Sequence, residues 1–184
     1  MPKGNNYFAN YFGTDKVYGS EWFEVRVYDQ SNRTWITYYL PTSLRSITFT
    51  NGAIAYEEFE NYGNVQEFIF QDGVIFDEDG SIFGTGEDYE SCFQGCNELT
   101  YVRLSNTMTK VHMEDFDFCP KLKTIYLPES IEEIDNYAIN YCESLTDIIY
   151  AGTVAQWNAI SKGTNWISNV PATYVQCSDG QVAI

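Results

Sequence analysis

The residues of this chain that could take part in catalysis are few and poorly grouped. His112 is the only histidine, so any Ser/His/Asp or Cys/His arrangement would need it. The chain contains a 23-residue repeat, described below, in which His112 takes the same position as Asp135, the residue after the apolar Ile134. That position predicts an exposed side chain. Asp115 and Asp117 could act as the paired carboxylates of a glycosidase, but among 26 Asp and Glu residues such pairs arise by chance. The sequence therefore predicts no catalytic residue and a protein that is not an enzyme.

Acidic side chains are frequent in the segment near residues 77–90, and clustered carboxylates are ligands that Ca²⁺ prefers. The calcium candidates are Asp77, Asp79 and Asp88. An EF-hand loop needs glycine at its sixth position, whereas Gly80 is the fourth residue counted from Asp77. A solvated loop is the favoured interpretation, calcium is the weaker alternative, and no other cofactor is expected.

The cysteines are better explained by packing than by chemistry. They are five in number, Cys92, Cys96, Cys119, Cys142 and Cys177, and an odd number argues against a fully paired disulfide framework. No C-x-x-C pair is present to begin a zinc site. Three of them, Cys96, Cys119 and Cys142, follow one another at steps of 23 residues. We interpret these three as small buried residues at one fixed position of a repeated unit.

Charge and hydropathy exclude two classes of partner. The chain has 10 Lys and Arg against 26 Asp and Glu, a net charge of −16, whereas nucleic-acid binders need basic residues to neutralise phosphate. An anionic membrane surface would repel this chain, and no stretch is apolar enough to cross a bilayer. Residues 1–6 lack the apolar core of a signal peptide. We therefore expect the chain to be cytosolic, already processed, or a fragment of a longer protein.

A repeated pattern, Leu-x-x-Ile-x-Leu, organises most of the chain. It starts at residues 44, 65, 99, 122 and 145, at steps of 21, 34, 23 and 23 residues. Phe93, Phe116 and Ile139 each stand three residues before one of the spaced cysteines, and Phe59 and Tyr62 hold the corresponding positions earlier. Such units bury their apolar faces only when they stack, which predicts a β-rich α/β solenoid of about five units with a 23-residue period. The long step predicts an insertion of about 11 residues near 77–90.

Alternation along each predicted strand decides which side chains face outward. Two outward columns result, one of Ser46, Glu67, Tyr101, Thr124 and Asp147, the other of Thr48, Ile69, Arg103, Tyr126 and Ile149. Tyr and Arg are enriched at binding hot spots. We predict an exposed ligand-binding face formed by Tyr101, Arg103, Tyr126, Ile69 and Ile149. The alternative is that these are ordinary cross-strand neighbours.

The segment from Cys119 to Leu145, CPKLKTIYLPESIEEIDNYAINYCESL, resembles the BspA-like (Treponema pallidum-type) leucine-rich repeat. Pro128, Ile131 and Ala138 fit that family's pattern, which has Phe where this chain has Ile139. The resemblance implies a right-handed solenoid within a surface-exposed, often multi-domain bacterial protein. It also implies adhesion to host proteins or to other cells, and suggests that further repeats precede residue 1.

Three regions are predicted. Residues 1–40 form an irregular N-terminal cap, in which Trp22–Tyr28 and Thr34–Tyr39 alternate as a β-hairpin does. Residues 41–150 contain the leucine-rich repeats. Residues 151–184 form a C-terminal cap with one short strand near Tyr174–Cys177.

The function predicted from the sequence is a non-catalytic binding or adhesion module whose partner is a protein of a host or neighbouring cell, or a glycan. One alternative is a lectin-like domain or weak glycosidase that uses Trp22, Trp35 or Tyr126. Another is a structural spacer with no ligand of its own. The resemblance implies an extracellular or cell-surface location.

Overall fold

The structure, a computed structural model, describes residues 22–29, 34–55, 59, 62–77 and 91–184. Its strands and its helix are, in chain order, β1 (Trp22–Asp29), β2 (Thr34–Pro41), β3 (Ser46–Phe49), β4 (Ala53–Ala55), β5 (Glu67–Phe70), β6 (Ile75–Asp77), β7 (Tyr101–Arg103), β8 (Lys110–Val111), β9 (Phe116–Asp117), β10 (Thr124–Leu127), β11 (Glu133–Ile134), β12 (Ile139–Asn140), β13 (Asp147–Tyr150), α1 (Val154–Ala159), β14 (Ser161–Lys162), β15 (Ile167–Ser168), β16 (Tyr174–Cys177) and β17 (Gly180–Ala183).

These strands form a β-solenoid of about five turns with a period of about 23 residues and little helix. The longest sheet has the order β17-β16-β13-β10-β7-β5-β3, and its strands are parallel except for β17, which is antiparallel to β16. Three shorter sheets, β14-β11-β8, β15-β12-β9 and β4-β6, lie elsewhere around the coil. The predicted leucine-rich-repeat fold class is confirmed.

The strand register follows the repeat that the sequence shows. Ile125 lies opposite Val102 on one side and Ile148 on the other, in parallel ladders. Ile47 pairs with Phe68, which pairs in turn with Val102 across the 34-residue step. The extra residues of that step therefore do not shift the ladder. A one-residue slip would turn every apolar side chain outward, so burial enforces this register.

Inward columns of apolar side chains form one continuous core. The first column is Ile47, Phe68, Val102, Ile125 and Ile148, and the second is Phe49, Phe70, Leu104, Leu127 and Tyr150. All of these side chains are buried except Phe49, which is partly exposed. Stacking of units thus supplies the burial that one unit cannot reach alone.

The spaced cysteines lie inside this core, which confirms their interpretation as packing residues. Cys96, Cys119 and Cys142 are fully buried reduced thiols. Each Sγ also donates a hydrogen bond to a carbonyl of the preceding coil, at 3.1 Å from Cys96 to Phe59, 3.1 Å from Cys119 to Phe93 and 2.9 Å from Cys142 to Phe116. A thiol at this position therefore fills space and links successive coils, a second role that composition does not reveal.

The two ends of the described chain differ in how well they were anticipated. The predicted N-terminal strand pair is present as β1 and β2, which are antiparallel. The predicted C-terminal strand is β16, but the structure adds β17 and the helix α1. The helix begins at Thr153, whose side chain accepts the N–H of Gln156 while the Gln156 side chain accepts the Thr153 N–H, an N-terminal capping box. The region boundaries at 40 and 150, and the capping roles, stay predictions.

Candidate binding site

The outer face of the long sheet carries the residues predicted to bind a ligand. Parallel pairing places Ile69 beside Arg103, Arg103 beside Tyr126, and Tyr126 beside Ile149. Tyr101 lies two residues before Arg103 on β7. The structure thus brings all five predicted residues onto one face, which we call the sheet face. Each of them is half-buried rather than fully exposed, because neighbouring strands crowd the side chains of a parallel sheet.

Arg103 is held in place at the centre of the sheet face. Its Nη1 donates to the Phe70 carbonyl at 2.7 Å, and its Nη2 pairs with Asp72 Oδ1 at 2.9 Å. Its guanidinium carbon lies 5.3 Å from the centroid of the Tyr126 ring, within the range of a cation–π contact. These contacts fix the side chain before any partner arrives, and preorganised side chains lose less entropy on binding.

The Tyr101 hydroxyl remains a neutral hydrogen-bonding group at physiological pH. Burial raises the pKa of Tyr101 above its usual value of 10.0, and the nearby Arg103 charge opposes that shift. A phenol of this kind offers both a donor and an acceptor beside a fixed cation. The sheet face therefore combines aromatic area, one positive charge and flanking isoleucines. That these residues bind a ligand stays a prediction.

The prediction that His112 is exposed is wrong. Its side chain is 8% exposed. Burial, helped by the charge of Lys110, lowers the pKa of His112 from 6.5 to about 4, so the imidazole is neutral near pH 7. The error arose because the address was taken from Asp135, which is half-buried and pairs with Lys110 at 3.0 Å. Equivalent turn positions of successive coils can differ in exposure, whereas equivalent strand positions agree.

The carboxylates considered for a glycosidase have different surroundings. Asp115 is buried, and its two oxygens accept the backbone N–H groups of His112 at 2.7 Å and Cys92 at 3.1 Å. This carboxylate therefore holds a turn in place and joins two coils. Asp117 is 6% exposed, and its pKa is raised by burial and by the neighbouring Glu114. The Asp115 oxygens are thus committed to structural hydrogen bonds.

A feature that the sequence reasoning missed is a pair of exposed aromatic rings just after β9 and β12, outside the long sheet. Phe118 and Tyr141 stack with their centroids 4.9 Å apart and their planes at 9°. They are 53% and 43% exposed, and both have left-handed backbone, with φ of 53° and 49°. That conformation costs about 1–2 kcal/mol for a residue with a Cβ. The sequence signal for a left-handed position was Gly95, which precedes Cys96 as Phe118 precedes Cys119.

Other predicted site residues fall where the structure gives no side-chain placement. The calcium candidates Asp79 and Asp88 lie outside the described residues, and so does the side chain of Asp77 at the end of β6. The side chains of Trp22 and Trp35 are likewise outside the described part. Elsewhere, the described residues contain no group of three or more His, Cys, Asp or Glu side chains arranged to hold a metal ion. The calcium hypothesis for the 77–90 segment stays a prediction.

Parts of this chain are similar to a known repeat family and to a solved structure. Residues 89–168 match the family model of the BspA type leucine rich repeat region, in six copies. The chain is also similar to a leucine rich cell surface protein from Faecalibacterium prausnitzii, with 22% identity and a TM-score of 0.46. That likeness covers 75% of this chain and 40% of the other. No curated protein matches the chain. Residues 89–168 of this chain are thus similar to the BspA-type leucine-rich repeat region.

Whether a helix of the described residues could cross a membrane depends on its length and hydropathy. The helix α1 is six residues long, and no helix in the described part of the chain is both long and apolar enough to cross a bilayer.

Proposed function

We propose that this chain is a non-catalytic module that binds a protein partner through its sheet face, as part of a bacterial cell-surface protein. The similarity of residues 89–168 to the BspA-type leucine-rich repeat region supports a protein-binding or adhesion role. The observation that carries the proposal is the fixed row Ile69–Arg103–Tyr126–Ile149, in which one arginine is anchored by Asp72 and the Phe70 carbonyl.

The character of this row indicates what it would recognise. Parallel strands spread the row over successive coils, which suits an extended partner better than a small molecule. The half-buried Tyr101 and Tyr126 supply rigid apolar area with a polar end, and Arg103 supplies a planar donor fork. An acidic or carbonyl-rich segment of the partner would pair with that fork. The expected partner is a protein of a host or of a neighbouring cell.

A binding screen of the purified chain tests the proposal. Matrix proteins, mucins and glycans are immobilised, and saturable binding is measured with and without calcium. We expect at least one protein to bind. The variant Tyr101→Ala/Tyr126→Ala should weaken that binding at least about tenfold, as the loss of a central aromatic cluster does.

Matched controls separate this face from others. The variant Tyr137→Gly also removes an exposed aromatic ring, at a turn position outside the sheet face where φ is 57°, and should leave that binding unchanged. Equal binding by the parent and the sheet-face variant would reject the sheet face. Binding to glycans alone would favour the lectin-like alternative, and no binding to any immobilised molecule would favour a structural spacer without its own ligand. Dependence on calcium would point to the segment containing Asp77, Asp79 and Asp88.

A further inference from the structure

Exposed large apolar side chains in the described part of the chain concentrate at the turns around β9 and β12. Met113, Phe118, Tyr137 and Tyr141 are all more than 40% exposed, and large exposed apolar groups that cluster mark interaction surfaces. Phe118 and Tyr141 form the stacked pair described above. We call Phe118 and Tyr141, together with the acids Glu114 and Asp117, the aromatic corner.

Left-handed backbone directs the two rings of the aromatic corner into solvent. The residue column Gly95, Phe118, Tyr141 and Asn169 has φ of 72°, 53°, 49° and 54°, which is a conformation that favours glycine and asparagine. Aromatic side chains at two of these positions are therefore costly for the fold. Strain that persists at a few positions is typical of functional sites, and here nothing in the core requires a ring.

The position of the preceding coil next to the Phe118 ring is a glycine, so no side chain from that position covers the ring, and we call this side of the ring its open face. The Gly95 N–H donates to the Asp117 carbonyl at 3.1 Å, and the Phe118 N–H donates to the Asn140 carbonyl at 3.3 Å. Gly95 and Phe118 are thus equivalent positions of successive coils. Tyr141 stacks on the side of Phe118 that faces the next coil. Because glycine has no side chain, the equivalent residue of the preceding coil adds no ring to this stack.

Within the described part of the chain, no ion pair neutralises the negative charge beside that open face. The ion pairs of the described residues engage Asp72, Glu133, Asp135 and Glu98; among those residues, neither Glu114 nor Asp117 forms one. The Asp117 Oδ1 is buried and has no hydrogen-bond partner among the described residues, although the side chains of Gln94 and Asn140 hydrogen-bond to this carboxylate. Glu114 is exposed, and its Oε2 lies 3.5 Å from Gln94 Nε2. An unneutralised carboxylate beside an open aromatic face is the arrangement that attracts an organic cation.

We propose that the aromatic corner docks a basic segment of a partner protein, with an arginine guanidinium stacked on the open face of Phe118 and paired with Glu114. Arginine fits better than lysine because its planar, weakly hydrated guanidinium stacks on aromatic rings and pairs with carboxylates in two-point geometry. The net charge of −16 attracts such a segment from a distance. The aromatic corner and the sheet face consist of different residues, so the two proposals can be tested independently.

Carbohydrate is the other class that aromatic rings attract, and the polar groups here favour it less. A sugar would need free donors and acceptors beside the rings. Asn140 Oδ1, the nearest amide oxygen on β12, already accepts hydrogen bonds from Ser168 and, at 3.1 Å, from Asn169 Nδ2. The aromatic corner thus has more negative charge, from Glu114 and Asp117, than it has free hydrogen-bonding groups.

The test uses the full chain and two fluorescently labelled peptides, one of arginine and one of lysine with the same length. Affinities are measured by fluorescence anisotropy at physiological salt, where remote charges are largely screened. We expect the parent to bind the arginine peptide more tightly than the lysine peptide. The variant Phe118→Gly/Tyr141→Gly keeps every charge and places glycine where φ is positive, so it should fold. It should lose at least about fivefold in affinity for the arginine peptide.

A second pair of variants isolates the carboxylate. Glu114→Gln and Asp147→Asn each remove one negative charge, the first at the corner and the second at an exposed position of β13. Only Glu114→Gln should weaken arginine-peptide binding. Equal affinities of the parent and the double glycine variant would show attraction by net charge alone and would overturn the proposal. So would binding of neutral glycans that the double glycine variant loses. The variant Tyr101→Ala/Tyr126→Ala should bind the arginine peptide as the parent does, which keeps this test independent of the sheet face.

Discussion

The first coils and the later coils of the solenoid share one backbone register but fill it with different side chains. In the first coils, Phe49 stacks on Phe70 at 5.0 Å and 6°, and Phe59 stacks on Phe93 at 5.8 Å and 11°. In the later coils the same columns contain mainly aliphatic side chains and thiols, including Leu104, Ile125, Leu127, Cys119 and Cys142. The comparison teaches that ladder pairing and in–out alternation set the register, while side-chain volume is balanced locally among neighbours.

The boundary between the two kinds of core lies within one column. Phe93 stacks on Phe116 at 5.2 Å and 9°, and Ile139 occupies the next position. At the neighbouring position, Tyr62 stands where later coils have cysteine, and its ring packs on Phe59 at 5.6 Å. Larger and smaller side chains thus replace one another along the stack without a change of pairing.

Removal of a ring from the aromatic column should have the largest effect on stability. Phe93 is fully buried between Phe59 and Phe116. Phe93→Ala should lower the free energy of unfolding by about 4 kcal/mol, because it leaves a cavity that the stack cannot close. Urea unfolding followed by far-UV circular dichroism measures this. Phe93→Ile, which introduces the residue type of Ile139, should lose less than half as much. A loss below about 1 kcal/mol for the alanine variant would mean that the two kinds of core are not fixed by packing.

The buried histidine should make the later coils sensitive to acid. The pKa of His112 is lowered from 6.5 to about 4 by burial and by Lys110, so the unfolded chain takes up a proton at a higher pH than the folded chain does. The resulting stability is fully present above pH 6.5 and is lost as the pH falls through about 4. We expect a loss of about 3 kcal/mol from this group.

The matched control for that acid sensitivity is His112→Asn, measured in parallel across the same pH range. Carboxylates titrate in both proteins, so the difference between the two curves reports the histidine. Parallel curves would contradict the burial of His112.

The thiol link should be worth a moderate amount. Cys119→Val keeps the apolar volume but removes the donor to the Phe93 carbonyl, and should cost about 1–2 kcal/mol of unfolding free energy. Thermal unfolding is the measurement. Cys119→Ser retains a donor at this position, and comparison of the two variants separates the hydrogen bond from packing. A valine variant as stable as the parent would show that the cysteine column contributes volume only.

The smallest expected effect on stability concerns the left-handed backbone of the aromatic corner. At Phe118 the usual order of alanine and glycine should be reversed, because φ is 53° there. Phe118→Gly should be more stable than Phe118→Ala by about 1 kcal/mol. Calorimetric melting temperatures of the two variants test this. If the alanine variant were the more stable, the backbone at the aromatic corner would not be left-handed, and the argument for its strained rings would fail.

Much of the fold was predictable because strand alternation is a local rule. The spacing of Leu122, Ile125 and Leu127, repeated at 23-residue steps, predicts which side chains enter the core, and each is buried. The same rule placed Arg103 beside Tyr126 on the sheet face. The extra strand β17 and the helix α1 lacked such a periodic signal and were not predicted.

The turns followed a different rule, and there the sequence was a poor guide. In a strand, the direction of a side chain follows from its parity, but in a turn it depends on the backbone conformation of each residue, which residue type indicates mainly for glycine and asparagine. His112 was therefore placed at the surface although it is buried. The pairing of Phe118 with Tyr141 across successive coils went unnoticed for the same reason.

The sequence by itself determined the period, the register and the identity of the core columns, because stacked units must each bury the same addresses. Only the tertiary structure decided how the turns fold against one another. It buried His112 and the carboxylates of Asp115 and Asp117, and it joined Cys119 to the Phe93 carbonyl of the preceding coil. It also exposed Phe118 and Tyr141 as one stack. These contacts join residues that are distant in sequence, and their geometry depends on turn conformations that only the packed coils fix.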